Sequence, residues 1–158
     1  MASRDTSVTS KRSGLVISTG NGCLACSPDG WVEDTYSPDQ LGVVEYKCPY
    51  ASREVIPIEA CNTKNFFCTL ENGQLKLKHG HNYYYQVQGV MAITGRIWCD
   101  FVVWTPKGIS IERIQYNESF WVDQMCPKLL NFYDRALLPE LAAPEHPNGR
   151  PIREPGTS

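Results

Sequence analysis

The residues best placed to do chemistry are two carboxylates and an ammonium group, those of Asp29, Glu45 and Lys47. Asp29 lies in the turn-forming sequence SPDG, sixteen residues before Glu45, and Lys47 follows Glu45 by two residues. Side chains alternate along a strand, so Glu45 and Lys47 share one face if their segment is extended. We therefore expect the three groups to meet at one edge of a sheet.

Two carboxylates about 4 Å apart repel each other by roughly 4 kcal/mol at an effective dielectric near 20, and a divalent cation removes that penalty. Hard oxygen ligands select Mg²⁺ or Mn²⁺ over zinc. A lysine beside such an ion can orient the attacking water or neutralise the charge that grows on a phosphate. The pattern indicates metal-assisted phosphodiester hydrolysis. On spacing alone, however, an ordinary cross-strand charge pair is the more common explanation.

Length and composition predict one folded domain. The chain has 158 residues, 42% hydrophobic and 20% charged, which excludes a wholly disordered, collagen-like or coiled-coil protein. The net charge of −2 provides no general attraction for nucleic acid or an anionic membrane, so a polyanion must be met by a local patch or a metal. No apolar run approaches the roughly 20 residues that a membrane span needs, and we expect no membrane partner.

The cysteines predict a reducing, intracellular compartment, with nucleus and cytoplasm left open. Their number, seven, is odd, and the first 14 residues contain no apolar leader. Cys23 and Cys26 have the spacing of a zinc site or a redox pair. No second pair follows at zinc-finger spacing, so buried reduced thiols are the favoured interpretation.

The elements that must position the candidate residues begin as strands. Short strands are predicted over 14–18, 23–25 and 31–32, and the best strand runs from Leu41 to Cys48, where Pro49 stops it. Glu71-Asn72-Gly73 predicts a hairpin between 66–70 and 74–78, although a passage from helix to strand also fits.

A helix is predicted over 81–94, closed by Gly95, and two strands over 97–104 and 109–114 follow it. Asn117 is a plausible N-cap for a last helix that runs to about residue 138, with Pro127 kinking or splitting it.

The predicted fold is therefore α/β, an α+β sandwich with a central mixed sheet flanked by helices. Residues 14–140 form the domain, and residues 1–13 and the proline-rich segment 141–158 are expected to be disordered tails.

Four segments together resemble the YqaJ-like viral recombinase family, which is related to the phage lambda exonuclease and belongs to the PD-(D/E)xK nuclease superfamily. They are LACSPDGWV (24–32), GVVEYKCPY (42–50), YYYQVQGVMAITG (83–95) and WCDFVVWTPKGISIERI (98–114). The similarity spans about residues 14–138. The resemblance implies a restriction-endonuclease-like core.

Residue by residue, the resemblance implies that Asp29 and Glu45 bind the metal together with the backbone carbonyl of Tyr46, and that Lys47 is the catalytic lysine. Gln86 resembles the active-site glutamine of the family. Gln88 lies about 200° further round the helix and cannot point at the same site.

The activity implied by the resemblance is 5′-to-3′ digestion of one strand of double-stranded DNA with Mg²⁺ or Mn²⁺, leaving a 3′ single strand for an annealing protein. The alternatives are a structure-specific endonuclease and a degenerate, non-catalytic fold that binds DNA or protein. The second alternative arises because the family has another acid on an upstream helix, whereas Asp5 is the sole acid before Asp29. On this comparison the chain looks truncated at its N-terminus. Relatives also form ring-shaped trimers, and a homo-oligomer is left open.

Several weaker candidates remain. Ser27, Arg53, Lys76, Lys78 and Gln88 are candidate DNA contacts, with a solvated hairpin face as the alternative for the basic cluster. Other residues allow two explanations each. The tyrosines at 83–85 either stack on bases or, more commonly at helical spacing, pack in the core. Asp100 is either an extra ligand or, as we favour, has a structural partner.

Overall fold

The computed structural model describes residues 8–151 and residue 154. The chain divides after Tyr116 into two compact units, which are described separately. The first unit contains nine strands and two helices among its described residues: β1 Val8–Arg12, β2 Val16–Ile17, β3 Ala25–Cys26, β4 Gly30–Asp34, β5 Leu41–Lys47, α1 Pro57–Ala60, β6 Cys68–Glu71, β7 Gln74–Leu77, α2 Asn82–Thr94, β8 Trp98–Thr105 and β9 Gly108–Gln115.

Five of these strands form a mixed central sheet in the order β1-β4-β5-β8-β9. Strands β5 and β8 are parallel, and the other neighbours are antiparallel. Parallel neighbours need a long crossover, and the segment with α1, the β6–β7 hairpin and α2 provides it. The predicted α/β class with a mixed sheet and helices is confirmed.

The edge strand β1 corrects the prediction of a loose N-terminal tail over residues 1–13. Val8–Arg12 pair antiparallel with β4, Arg12 lying opposite Gly30. All five residues of β1 are exposed, so the segment has no alternation of buried and exposed side chains from which a strand could be predicted. The backbone hydrogen bonds to β4 hold this segment at the edge of the sheet. Residues 1–7 lie outside the described residues.

The helix predicted over 81–94 is confirmed as α2. His81 caps its N-terminus, because the imidazole Nδ1 accepts a hydrogen bond from the backbone N–H of Tyr83 at 3.2 Å. Gly95 ends the helix with a φ of 65°, a left-handed conformation that glycine adopts without strain. Tyr84, Val87 and Met91 are buried at the predicted helical spacing.

The β6–β7 pair settles the choice between a hairpin and a helix-to-strand passage in favour of the hairpin. Asn72 and Gly73 both have positive φ, 50° and 78°, as a tight two-residue turn requires. Glu112 of β9 joins this hairpin to the central sheet, because its carboxylate accepts a hydrogen bond from the backbone N–H of Leu77 at 2.7 Å.

The two faces of the central sheet carry different cores. Val43, Glu45, Cys99 and Phe101 point to the face that α2 covers. Another buried cluster consists of Val32, Val44, Trp98 and Val102. Gly42 permits the close approach of Trp98, because a Cβ atom at residue 42 would overlap the indole ring.

The second unit begins with α3 Glu118–Phe120, α4 Cys126–Phe132 and α5 Leu138–Ala142. Asn117 caps α3, since its side-chain oxygen accepts a hydrogen bond from the N–H of Phe120 at 3.0 Å. π-helical turns at Trp121–Met125 and Tyr133–Leu137 join the three helices into one run.

Pro127 therefore neither splits nor stops this helical run, contrary to one of the predicted outcomes. Pro127 and Pro139 each follow a π-helical turn. The backbone hydrogen bonds of such a turn already depart from the α-helical pattern, which a proline cannot complete because it has no backbone N–H. The helix continues past residue 138 to Ala142, and a 3₁₀ turn follows at His146–Asn148. The prediction of a disordered tail over 141–158 is thus wrong for residues 141–142 and 146–148. No helix in the described part of the chain is long and apolar enough to cross a membrane.

Candidate active site

The pairing of β4 with β5 brings the two candidate carboxylates together. Gly30 is the first residue of β4 and lies opposite Val44, so Asp29 lies one residue beyond the paired ladder, opposite Glu45. The carboxylate Oδ2 of Asp29 accepts a hydrogen bond from the backbone N–H of Tyr46 at 2.8 Å. The turn therefore directs Asp29 back onto the strand that carries the second carboxylate.

Glu45 is a buried carboxylate whose two oxygens have different surroundings. Its side chain is 1% exposed. Oε2 accepts hydrogen bonds from Lys47 Nζ at 3.2 Å and from Gln86 Nε2 at 2.9 Å. Oε1 is buried and has no hydrogen-bond partner among the described residues. A buried polar atom without a partner is costly, so Oε1 is the part of the site that most needs a ligand.

The charges around Glu45 also favour a bound cation at this carboxylate. Burial raises the pKa of Glu45, the nearby Lys47 ammonium opposes that rise, and the negative charge of Asp29 adds to it. A cation near both carboxylates would stabilise their ionised forms.

The site residues come from three elements. Glu45 and Lys47 lie on β5, Asp29 precedes β4, and Gln86 lies in α2. Pairing brings Asp29 and Glu45 opposite each other, and hydrogen bonds connect Lys47 and Gln86 to Glu45.

The second glutamine of the QVQ sequence has a different environment. Gln88 is fully buried and donates to the backbone carbonyl of Gln115 at 3.0 Å. This burial removes Gln88 from the surface, contrary to the expectation that it contacts DNA. Gln86 and Gln88 differ because a two-residue step in a helix turns the side chain to the far side.

The donor set fits a hard divalent cation such as Mg²⁺, which is commonly bound through one or two carboxylates and keeps several waters. Within residues 8–151 and residue 154, no group of three or more His, Cys, Asp and Glu side chains gathers as a metal site. Two carboxylates are present, and Glu45 offers an unpartnered oxygen. A backbone carbonyl, such as that of Tyr46, is a further hard ligand of the kind that Mg²⁺ accepts.

The candidate DNA contacts are not all available for that role. Lys78 Nζ donates to the carbonyl of Phe66 at 2.6 Å, and Lys76 Nζ lies 3.4 Å from Glu112 Oε1. These contacts favour a structural role for the basic hairpin face. Arg53 is exposed and lies over the Tyr50 ring at 4.3 Å. Ser27 is exposed two residues before Asp29.

Asp100 has the structural partner that we favoured over a role as an extra ligand. Arg113 donates to both of its carboxylate oxygens, at 2.8 and 2.9 Å. The same guanidinium donates to Asp34 at 2.7 Å and lies over the Trp98 ring at 3.8 Å. This cluster joins β4, β8 and β9 and is separate from Glu45.

Two features near the site were missed by reasoning from the sequence. Tyr83 presents its ring to Lys47, with Nζ 4.7 Å from the ring centroid. Lys11 and Arg12 line a cleft that also contains Asp29 and Tyr46. The helical spacing of Tyr83 predicts a core residue, and Lys11 and Arg12 fall within the predicted tail, so the sequence does not indicate that these three residues lie near the carboxylates.

The cysteines differ in exposure. Cys23 and Cys48 are exposed and Cys26 is half-buried, so the expected burial of the Cys23–Cys26 pair is wrong for Cys23. Burial raises the pKa of Cys68 to about 12. Burial also raises the pKa of Cys99.

Two solved structures that resemble this chain are of an alkaline exonuclease. The chain is similar to LHK-Exo, an alkaline exonuclease from Laribacter hongkongensis, with a TM-score of 0.59 and 24% identity, covering 92% of this chain and 63% of that one. It is also similar to LHK-Exo in complex with dAMP, with a TM-score of 0.54 and 25% identity, covering 88% of this chain and 65% of that one. The chain thus spans less than two thirds of the length of these structures.

Among curated proteins no sequence match was found. The model of the YqaJ-like viral recombinase domain, in contrast, matches residues 3–97, which include Asp29, Glu45, Lys47 and Gln86. That match covers more than half of the sequence, and the chain belongs to the YqaJ-like viral recombinase domain family.

Proposed function

We propose that this chain is a metal-dependent DNA exonuclease of the recombination type, which hydrolyses phosphodiester bonds in double-stranded DNA. The observation that carries the proposal is the buried, unpartnered Oε1 of Glu45, opposite Asp29 and on the same carboxylate that Lys47 and Gln86 bind. The family and the alkaline exonuclease fold support the same class of reaction.

Asp29, Glu45 and the carbonyl of Tyr46 would hold the ion, for which we propose Mg²⁺ or Mn²⁺. When bound, the ion activates water and polarises the scissile phosphate. The protein contributes fixed geometry. Two donors hold Glu45 in one orientation, and the N–H of Tyr46 holds Asp29.

Lys47 and Gln86 are the proposed catalytic residues. The side chain of Lys47 is 13% exposed and its ammonium lies beside the carboxylate, where it can neutralise the negative charge that develops on the phosphate. Gln86 is an exposed residue whose amide nitrogen contacts Glu45. Its amide can orient the attacking water or the lysine.

The finer points of the activity are also part of the proposal. Digestion would run 5′ to 3′ and leave a 3′ single strand for an annealing protein, as the family resemblance implies. Stepwise digestion of DNA releases mononucleotides, and the neighbour solved with dAMP contains such a molecule. A reducing, intracellular location completes the proposal.

A second candidate function is a non-catalytic DNA-binding nuclease fold. It is favoured by one observation, the lack of a third acidic side chain at the two carboxylates in the described part of the chain. A structure-specific endonuclease shares the proposed chemistry and differs from the exonuclease only in not requiring a DNA end.

One experiment separates these functions. Linear duplex DNA labelled at the 5′ or the 3′ end and, separately, circular duplex DNA are incubated with the protein in the presence and absence of Mg²⁺ or Mn²⁺. Metal-dependent loss of the linear substrate alone supports the exonuclease, and the order of label release gives the polarity. Nicked circles support the endonuclease. Binding without cleavage by the wild-type protein, unchanged in Asp29→Asn and Lys47→Ala, supports the non-catalytic fold.

A further inference from the structure

The ammonium of Lys47 is held from two sides. Glu45 Oε2 lies 3.2 Å from Nζ, and the centroid of the Tyr83 ring lies 4.7 Å from the same atom. The face of an aromatic ring carries partial negative charge, and it attracts a cation within about 6 Å of its centroid. Tyr83 is therefore an electrostatic partner of Lys47 as well as a packing residue.

The Tyr83 ring is itself held by its neighbours. Phe67 meets it edge-on at 5.1 Å between centroids, and His81 does so at 4.8 Å. Tyr83 also precedes Gln86 by three residues in α2, so both side chains lie on one side of the helix. One helical face thus supplies a donor to Glu45 and an aromatic surface to Lys47.

The two partners of the lysine respond differently to a cation at the carboxylates. A carboxylate that binds a cation shares its negative charge with that ion, which weakens its attraction for the lysine. A cation bound by the carboxylates does not compete with Lys47 for the Tyr83 ring. The ring is then the partner that continues to hold the ammonium when Glu45 is engaged.

We propose that Tyr83 is a positioning residue for Lys47: its ring fixes the direction of the ammonium through a cation–π contact and keeps the lysine at the phosphate site when Glu45 binds a cation. This inference rests on the proposed function, and it concerns the ring rather than the hydroxyl. Tyr83→Phe should therefore behave as the wild type, whereas Tyr83→Leu, which fills the site without a ring, should not.

The direct test is NMR of the metal-free protein with ¹³C-labelled lysine. The methylene next to Nζ is one bond away from the atom that lies over the ring, 4.7 Å from its centroid, so we expect the ring current to shift the methylene protons upfield. Lys47→Ala identifies the signal by its loss. We expect the upfield shift to persist in Tyr83→Phe and to disappear in Tyr83→Leu. An unshifted Lys47 signal in the wild type would overturn the inference.

The kinetic test compares the same variants. Loss of the ring should lower kcat for metal-dependent cleavage by about 2- to 30-fold, the range expected for a cation–π contact, with little change in KM for DNA. Tyr83→Phe should restore kcat. Equal losses in both variants, or a change in KM alone, would contradict the inference.

Failure of the proposed function gives a different result. If no variant, wild type included, cleaves DNA with any divalent ion while the ring-current shift is present and depends on the ring, the nuclease proposal fails and the contact between Tyr83 and Lys47 stands.

Discussion

Asp29 and Glu45 lie opposite each other at the end of the β4–β5 ladder, although Glu45 follows Asp29 by sixteen positions in the chain. Asp29 is exposed at its turn, and Glu45 is buried within its strand. The pair therefore combines one carboxylate open to solvent with one that is fixed inside the protein. Such an arrangement lets a cation enter from solvent and still meet a rigid ligand.

Replacing either carboxylate should weaken metal binding. Asp29→Asn and Glu45→Gln each take away a charged oxygen ligand, and Mn²⁺ titration followed by calorimetry should show at least a tenfold weaker affinity, equivalent to about 1.4 kcal/mol. Asp123→Asn, a change at an exposed residue of the second unit, is the matched control. Wild-type affinity in Asp29→Asn would exclude Asp29 from the metal site.

Gln86 and Gln88 should give opposite phenotypes despite their proximity in sequence. Gln86→Ala removes a donor from Glu45 at the exposed end of the site, so it should lower the cleavage rate with little loss of stability. Gln88→Ala removes a fully buried donor and leaves the carbonyl of Gln115 without it, so it should cost about 1–3 kcal/mol of unfolding free energy. Urea unfolding and initial cleavage rates, measured on both variants, test this expectation. Lower stability in Gln86→Ala together with slower cleavage by a fully stable Gln88→Ala would contradict it.

The contact between Asp34 and Arg113 should make stability depend on pH in the acid range. The hydrogen bond from Arg113 lowers the pKa of Asp34 below its usual 3.8. The unfolded chain therefore takes up the proton first as pH falls, and the contribution of Asp34 to stability is present above about pH 3.8 and lost below it.

Asp34→Asn provides the comparison for this pH effect. Its unfolding free energy should fall below that of the wild type at neutral pH, and the gap should close as pH drops through the lowered pKa of Asp34. Urea midpoints measured at a series of pH values would report the gap. A difference that is constant with pH would argue against a charged contact.

Thiol reactivity should follow burial. Cys23 and Cys48 are exposed and should react quickly with a thiol reagent at pH 8. Burial raises the pKa of Cys68 to about 12, so very little of it is thiolate at that pH. Cys68 and Cys99 should react only after unfolding, which mass spectrometry of the labelled protein can show. Early labelling of Cys68 would mean that its strand opens readily.

Much of the fold near the site was predictable because local signals agreed with the tertiary structure. The apolar spacing of Val87 and Met91 and the closing Gly95 define α2. Asn72 and Gly73 define the hairpin turn. In both cases the residue types favour one backbone conformation, so neighbours in the sequence carry enough information.

The unpredicted features depend on contacts between distant residues. Strand β1 has no buried side chain, so its pairing with β4 leaves no pattern in the sequence. Tyr83 has the spacing of a core residue, and its contact with Lys47 appears only when α2 lies over β5. The opposed environments of Gln86 and Gln88 were foreseen from helix geometry, but the partner of Gln88, Gln115, was not.

The different surroundings of the two oxygens of Glu45 bear on which ion the proposed site would accept. Lys47 and Gln86 already donate to Oε2, so Oε1 is the oxygen open to an incoming ion, and coordination through Oε1 alone is expected. Calcium often takes both oxygens of a glutamate and tolerates seven or eight ligands, whereas magnesium keeps several waters in a strict octahedron. In the proposed site, such a carboxylate would disfavour the larger ion and leave coordination positions open to the smaller one.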